Sequence, residues 1–282
     1  MRTKFLKLAF AVILSSAALI ANAAPTYTFS ILESEPNWWP DLSSYTQLSK
    51  PTTSPGSSSS IARAFDINDS GALVGNISPN DGFQDFAALW DNSNAGYRQL
   101  QSLGVGTGTG EGSAFSINNL GGIVGYSQNA SNVYQATLWS PTSYSPTHLQ
   151  SLDGVDKAGR AWAINNSGQI VGISYNSTST DYLINTDEYS RATLWNGTNT
   201  PIDLNDYLDQ ASKNAGWVLN AAHRIDNDGS IYGTAFNRNS SVTEAFLLQS
   251  VNPVPEADTS AMLLMGAGLM GFIARRRKQV AA

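Results

Sequence analysis

The feature that most constrains this chain is a twelve-residue pattern that occurs four times. Each copy has Ala first, Ile fourth, Asn or Asp fifth, Gly eighth and Gly last. The copies are Ala64–Gly75, Ala114–Gly125, Ala161–Gly172 and Ala222–Gly233. The aligned isoleucines are separated by 50, 47 and 61 residues. Repeats of this length cannot bury an apolar face alone, so they predict an array in which neighbouring units pack together.

Each unit continues with a second motif in the same register. The matching segments are Ala87–Trp90, Ala136–Trp139, Ala192–Trp195 and Ala245–Leu248. A further short segment follows three of them, at Tyr97–Leu103, His148–Leu152 and Pro201–Leu204. The extra length of the third unit falls in one insertion, Ser174–Arg191, before its Trp strand.

The repeated segments are predicted to be short strands. Phe65 and Ile67 alternate with smaller or polar residues, a period of two that is typical of a half-buried strand. The following Asn-x-x-Gly forms a hairpin turn in which Gly supplies a positive φ. The glycine that ends each copy indicates close approach of another backbone, as near the centre of a radial array.

Four strands per unit are typical of a β-propeller blade. The last unit lacks a fourth strand after Leu248, and Tyr27–Leu32 near the N-terminus alternates in the manner required to supply it. We therefore predict an all-β, β-propeller-like array of four repeats of about four strands each, closed into a ring by the N-terminal strand. An open, solenoid-like array of sheets is the alternative.

Aromatic residues have a structural and a functional interpretation. Trp90, Trp139 and Trp195 share one repeat position, which favours packing between repeats over a platform for sugars. Trp38 and Trp39 lie in the Pro- and Ser-rich segment Pro36–Ser60, where a ligand platform and a cap on a blade both remain open. The segment Asn205–Ser212 is predicted to form one short helix with Asn205 as its cap.

The combined pattern, Ala-x-x-Ile-Asn-x-x-Gly-x-x-Val-Gly followed by Ala-x-Leu-Trp, resembles the HAF family of bacterial extracellular repeats. The resemblance covers about residues 61–249 and is strongest in the first three units. It implies a repeat architecture and an extracellular location, and it implies no chemistry.

The N-terminus has the features of a secretory signal peptide. Arg2, Lys4 and Lys7 precede an apolar run from Leu8 to Ile20, which ends in Ala21, Asn22 and Ala23. We expect signal peptidase to cut after Ala23, so that the mature chain begins at Ala24. The alternative is an uncleaved membrane anchor, but the run is shorter than the ~20 residues that a span requires.

The C-terminus has three parts in a fixed order: a short motif, an apolar stretch from Ser260 to Ala274 that predicts a membrane helix, and a basic end. The motif is Val254, Pro255, Glu256 and Ala257, and the basic end is Arg275, Arg276, Arg277 and Lys278. This arrangement resembles the PEP-CTERM sorting signal of Gram-negative bacteria, which implies recognition and removal by an exosortase. Ala257 stands where that family usually has a second proline. The alternative is a simple tail anchor.

Charge and composition exclude several classes of function. Charged residues are 13% of the chain, against about 25% in typical soluble domains. Residues 24–254 contain nine Lys and Arg against 20 Asp and Glu, a net charge of −11. Such a surface repels phosphate backbones and anionic lipid headgroups, so we expect no nucleic-acid partner and no peripheral binding to membranes.

Residues that carry chemistry are sparse. There is no cysteine, which excludes disulfides, Cys-ligated metals and a cysteine nucleophile, and the only histidines are His148 and His223. Asp66–Gly71 and Asp226–Gly229 resemble calcium loops, but the aligned loops of the second and third units lack a carboxylate, which favours a plain Asn/Asp turn. We therefore predict no catalytic, metal-binding or cofactor-binding residues.

The sequence divides into a signal peptide (1–23), an N-terminal strand with a Pro/Ser-rich loop (24–60), four repeats (61–250) and a sorting segment with a short membrane helix (251–282). We expect an exported, non-enzymatic protein of the cell surface or matrix, anchored in the membrane before processing. Its expected role is structural or in binding extracellular polysaccharide. A polysaccharide-active enzyme is the alternative, and a clustered pair of carboxylates would favour it.

Overall fold

A computed structural model describes residues 26–32, 61–79, 84–91, 96–104, 110–176, 190–197 and 199–251. These residues form four antiparallel sheets of four strands each, which confirms the predicted all-β class. The first sheet contains β2 (Ile61–Ile67), β3 (Leu73–Ser78), β4 (Phe86–Trp90) and β5 (Arg98–Gln99). The second contains β6 (Gly112–Ile117), β7 (Ile123–Gln128), β8 (Tyr134–Trp139) and β9 (Pro146–His148).

The third sheet contains β10 (Gly159–Ile164), β11 (Gln169–Tyr175), β12 (Ser190–Asn196) and β13 (Pro201–Asp203). The fourth contains β14 (Trp217–Ile225), β15 (Ile231–Asn237), β16 (Val242–Val251) and β1 (Thr26–Ile31). A 3-10 helix (Leu204–Tyr207) and α1 (Gln210–Asn214) connect these two sheets. No helix within the described ranges is long and apolar enough to cross a membrane. The predicted terminal membrane segments lie outside those ranges.

The N-terminal strand completes the last sheet, as predicted. In the register of β1 on β16, Phe29 lies opposite Leu248 and Ile31 lies opposite Phe246. All four side chains belong to the core cluster between the third and fourth sheets. Because a shift of one residue would turn this apolar face toward solvent, burial fixes the register.

Consecutive sheets pack face to face through one tryptophan position. Trp139 packs against Val74 and Leu89 of the first sheet, and Trp195 packs against Val124 and Ala136 of the second. Both indole rings are fully buried, so the predicted packing role is confirmed for these two residues. Each indole N–H also donates a hydrogen bond to a backbone carbonyl, of Gln101 and Gln150 respectively. Leu248 occupies the same position between the third and fourth sheets.

A ladder of buried amides joins the Asn-x-x-Gly turns. The Oδ1 atom of Asn118 accepts the N–H groups of Leu120 and Gly122 within its own turn, at 3.1 and 2.8 Å. Its Nδ2 atom donates to the carbonyl of Asn165 in the next turn, at 3.0 Å. Asn68 and Asn165 make the same forward bonds, to the carbonyls of Asn118 and Asp226. One side chain therefore shapes its own turn and fixes its distance to the next.

The glycine that ends each copy lies opposite a β-bulge. The register of the first two strands slips by one residue at the aromatic position of each repeat, as at Trp162 in the third. A Cβ atom on the glycine facing each bulge would lie 1.9–2.0 Å from a backbone oxygen of the partner strand. The predicted close approach is confirmed, but the backbone concerned belongs to the same hairpin and not to the centre of a radial array. The four glycines are Gly75, Gly125, Gly172 and Gly233.

The third repeat offers a matched pair of glycine substitutions. Gly168 has φ +77° with open space around it, so Gly168→Ala should cost about 1–2 kcal/mol through its backbone conformation alone. Gly172→Ala would place its Cβ 2.0 Å from the Arg160 carbonyl oxygen and should cost more than about 3 kcal/mol. Urea unfolding of both variants measures the difference. Equal losses would contradict the role assigned to the bulge.

The bulged residues form a column of aromatic rings along the array. Phe65, Phe115, Trp162 and His223 contact one another in that order, with centroid distances of 5.7, 4.4 and 5.9 Å. Burial lowers the pKa of His223 to about 4, well below the ordinary histidine value. The folded protein therefore favours a neutral imidazole at the end of this column.

Acid should destabilise the protein through His223. Between pH 6.5 and 4 the unfolded chain binds a proton at this residue that the folded chain does not, so the free energy of unfolding falls as pH falls. The loss should be on the order of 3 kcal/mol. His223→Phe, which installs the residue of the first two repeats, should flatten this pH dependence in chemical denaturation. Burial also lowers the pKa of His148, which is present in both proteins. An unchanged slope in the variant would disprove the assignment to His223.

Candidate binding cavity between the third and fourth sheets

An open polar cavity of about 470 Å³ lies where the third and fourth sheets meet. Its volume falls within the roughly 300–1,000 Å³ of typical small-molecule sites. The lining side chains come from β12 and β14, from the segments around β13 and α1, and from the connections that follow β9, β11 and β15. They include Asp153, Asn176, Arg191, Asp203, Asn205, Lys213, Trp217 and Arg238.

Arg191 organises one wall of the cavity. Its Nη1 donates to Asp203 Oδ2 at 2.8 Å, and its Nη2 donates to Asp153 Oδ1 at 2.6 Å. Burial opposes the charge of Arg191, but its hydrogen bonds and ion pairs with both aspartates outweigh burial and raise the pKa of the guanidinium. The two carboxylates are thus brought together by one permanent cation, in an arrangement that is 16–36% exposed.

The connection after β13 is fixed to β14 by Asn205. The Oδ1 atom of Asn205 accepts the Leu219 N–H at 2.8 Å, and its Nδ2 donates to the Leu219 carbonyl at 3.0 Å.

The prediction of one helix capped by Asn205 is wrong. Two short helices occur, capped by Asp203 and Asp209, because Leu208 adopts an extended conformation between them.

Lys213 and Arg238 form a second, cationic part of the cavity lining. Lys213 lies on α1, and Arg238 follows β15. Both residues are exposed, and neither forms a salt bridge with any residue in the described part of the chain. Trp217, which is half-buried, lies at the start of β14 and also lines the cavity. The cavity thus combines cations, hydrogen-bonding groups and one large aromatic surface.

The carboxylates singled out in the turns are used within the fold. Asp66 Oδ2 accepts from the Ser116 hydroxyl and the Ile117 N–H of the second repeat, at 2.8 and 2.9 Å. Burial raises the pKa of Asp66, and these hydrogen bonds oppose that effect. Asp226 Oδ1 accepts from Arg224. These contacts favour the plain-turn interpretation, and no group of three or more metal-ligating side chains occurs among the residues that the structure describes.

Sequence reasoning missed the cavity. It did not single out Asp153, Arg191, Trp217, Lys213 or Arg238 as binding residues. The available signal was the departure from the repeat: the insertion Ser174–Arg191 borders the cavity through Asn176, Ser190 and Arg191. The predicted cleavage residues Ala21, Ala23 and Ala24 and the sorting residues Val254–Ala257 and Arg275–Lys278 lie outside the described ranges.

Comparison with protein families identifies the C-terminal segment. The family model for the PEP-CTERM protein-sorting motif matches residues 253–278. This match supports the predicted sorting signal, export, processing by an exosortase-like enzyme, and a surface or extracellular location. No curated protein and no solved structure matches the chain. The resemblance of the repeats to the HAF family stays a prediction.

Proposed function

We propose that this protein is a non-enzymatic, surface- or matrix-associated repeat protein that binds extracellular polysaccharide in the cavity between its third and fourth sheets. The observation that carries the proposal is the lining of that cavity, in which the half-buried Trp217 lies among amide, carboxylate and cationic groups. A flat aromatic ring packs against the C–H face of a sugar, and the surrounding polar groups bind its hydroxyls.

The location of the protein supports the same role. The match to the PEP-CTERM sorting motif supports export to the surface or the extracellular space, and in this proposal the polymer bound there is exopolysaccharide. In this proposal signal peptidase removes residues 1–23, the C-terminal helix holds the chain in the membrane, and the sorting enzyme then releases it to the surface. The repeats provide a scaffold from which the cavity opens outward.

The enzyme alternative has one feature in its favour, the pair Asp153 and Asp203. A glycosidase needs one carboxyl group that retains its proton as general acid, beside a second one that stays ionised. Here both carboxylates accept hydrogen bonds from Arg191. A nearby cation favours the ionised form of each carboxylate, whereas a glycosidase needs one of them protonated. This arrangement supports binding more than hydrolysis.

Trp217→Leu tests the binding proposal. The change retains an apolar side chain in the core but removes the ring, and we expect at least tenfold weaker binding of the producer's exopolysaccharide in affinity electrophoresis. Tyr97→Leu removes a partly buried ring from the first sheet and should leave binding unchanged, with thermal melting as the check on folding. Unchanged binding in folded Trp217→Leu would defeat the proposal. Shortening of the polymer by the wild-type protein would instead establish the enzyme.

We further propose that the propeller-like array is open between its fourth and first sheets. The hydrogen bonds of Asn68, Asn118 and Asn165 connect the four turns in order. In the fourth turn Asp226 takes the place of the asparagine, and its carboxylate has no N–H group to donate onward to the first turn. On the outward face of the fourth sheet, Tyr232, Phe236 and Leu247 are partly exposed. These features favour the open alternative over the closed ring.

Spin labels can distinguish the two arrangements, because the chain has no native cysteine. Ser70→Cys with Leu120→Cys labels adjacent turns, and Ser70→Cys with Asp228→Cys labels the first and fourth turns. In an open array, double electron–electron resonance should give a clearly longer distance for the second pair. In a closed four-membered ring the two distances should be similar, which would defeat the open arrangement.

A further inference from the structure

The cavity is a local concentration of positive charge on an acidic protein. Residues 24–254 contain only nine Lys and Arg, and three of these, Arg191, Lys213 and Arg238, line this one cavity. Two aspartates line it as well, so its formal charge is positive while the surrounding chain is strongly negative. A cleft with a net positive charge on an acidic surface attracts anionic ligands.

The three cations are not equivalent. Arg191 is already engaged by Asp153 and Asp203. Lys213 and Arg238 form no salt bridge with the described residues. Asp209, which caps α1 by accepting the Ser212 N–H, attracts the Lys213 ammonium but does not form a salt bridge with it. Lys213 and Arg238 are therefore the groups available to an anionic ligand.

The backbone holds Lys213 and Arg238 on one rigid wall. The Ala215 carbonyl at the end of α1 accepts from the Nδ2 atoms of Asn237 and Asn239, at 3.1 and 3.0 Å. The Arg238 N–H donates to the Gly216 carbonyl at 2.9 Å, and Gly216 has φ +91°. The helix that carries Lys213 and the hairpin that carries Arg238 are thus joined, so little backbone ordering is needed when a ligand binds.

We propose that the cavity selects acidic polysaccharide, and that Lys213 and Arg238 bind the carboxylate of a uronic acid whose ring lies on Trp217. This inference rests on the proposed function and adds to it the class of sugar. A guanidinium matches the two oxygens of a carboxylate, and an ammonium adds a point charge beside it. In this proposal Asp153 and Asp203, which are held by Arg191, accept hydrogen bonds from the sugar hydroxyls.

The test compares three polymers by isothermal titration calorimetry: polygalacturonate, neutral dextran and dextran sulfate. We expect polygalacturonate to bind at least tenfold more tightly than dextran, and the advantage to shrink as salt screens the charges. Lys213→Gln and Arg238→Gln should each weaken polygalacturonate binding about tenfold and leave dextran binding unchanged. Arg98→Gln, which removes a cation from the first sheet, is the matched control and should bind like the parent.

Three other results would contradict one or both proposals. Equal binding of polygalacturonate and dextran, unaffected by Lys213→Gln and Arg238→Gln but weakened by Trp217→Leu, would overturn the acidic specificity and leave the proposed function standing. Dextran sulfate bound as tightly as polygalacturonate would overturn the assignment to a carboxylate. Binding of none of these polymers, nor of the producer's exopolysaccharide, would overturn both proposals.

Discussion

The hydrogen bond from one turn asparagine to the carbonyl of the next turn is the interaction on which the array depends. Asn68, Asn118 and Asn165 each use the side-chain oxygen for their own turn and the nitrogen for their neighbour. These amides are buried, and a buried donor or acceptor without a partner lowers stability. Each asparagine must therefore shape its own turn and bind the next turn at the same time. The positions of the sheets depend on this ladder, because each fixed turn sets how its hairpin packs against the neighbouring hairpin.

The ladder also explains where the array tolerates variation. The third and fourth turns are 61 residues apart, against 50 and 47 for the others, yet the hydrogen bond between them has the same form. The described ends of the insertion, Asn176 and Ser190, lie away from the turns, and both line the cavity. The cavity thus borders the place at which the third unit departs from the regular repeat.

The sequence predicts the scaffold well, because the determinants of a hairpin are local. Asn and Gly at fixed spacing define the turns, and the alternation of Tyr27–Leu32 identifies the missing strand. It does not predict that Arg191 joins Asp153 to Asp203, since those residues are separated by 38 and 12 positions and meet only through packing. The contacts of Asn205 are not predicted for a related reason. Asn is a typical helix-capping residue, but the side chain of Asn205 instead binds both backbone groups of Leu219 in β14, and no local sequence pattern indicates these bonds.

The pairing of β1 with β16 has a consequence for the order in which the chain can fold. Thr26 lies opposite Val251, so the earliest described residue and the latest one meet at the same corner of one sheet. A chain that crosses a membrane from its N-terminus exposes β1 first, and that strand has no partner until the final hairpin emerges. Such a long-range contact is slow to form. The segment matched to the sorting motif begins at residue 253, two positions after this strand. Completion of the last sheet therefore requires the residues that immediately precede the sorting segment.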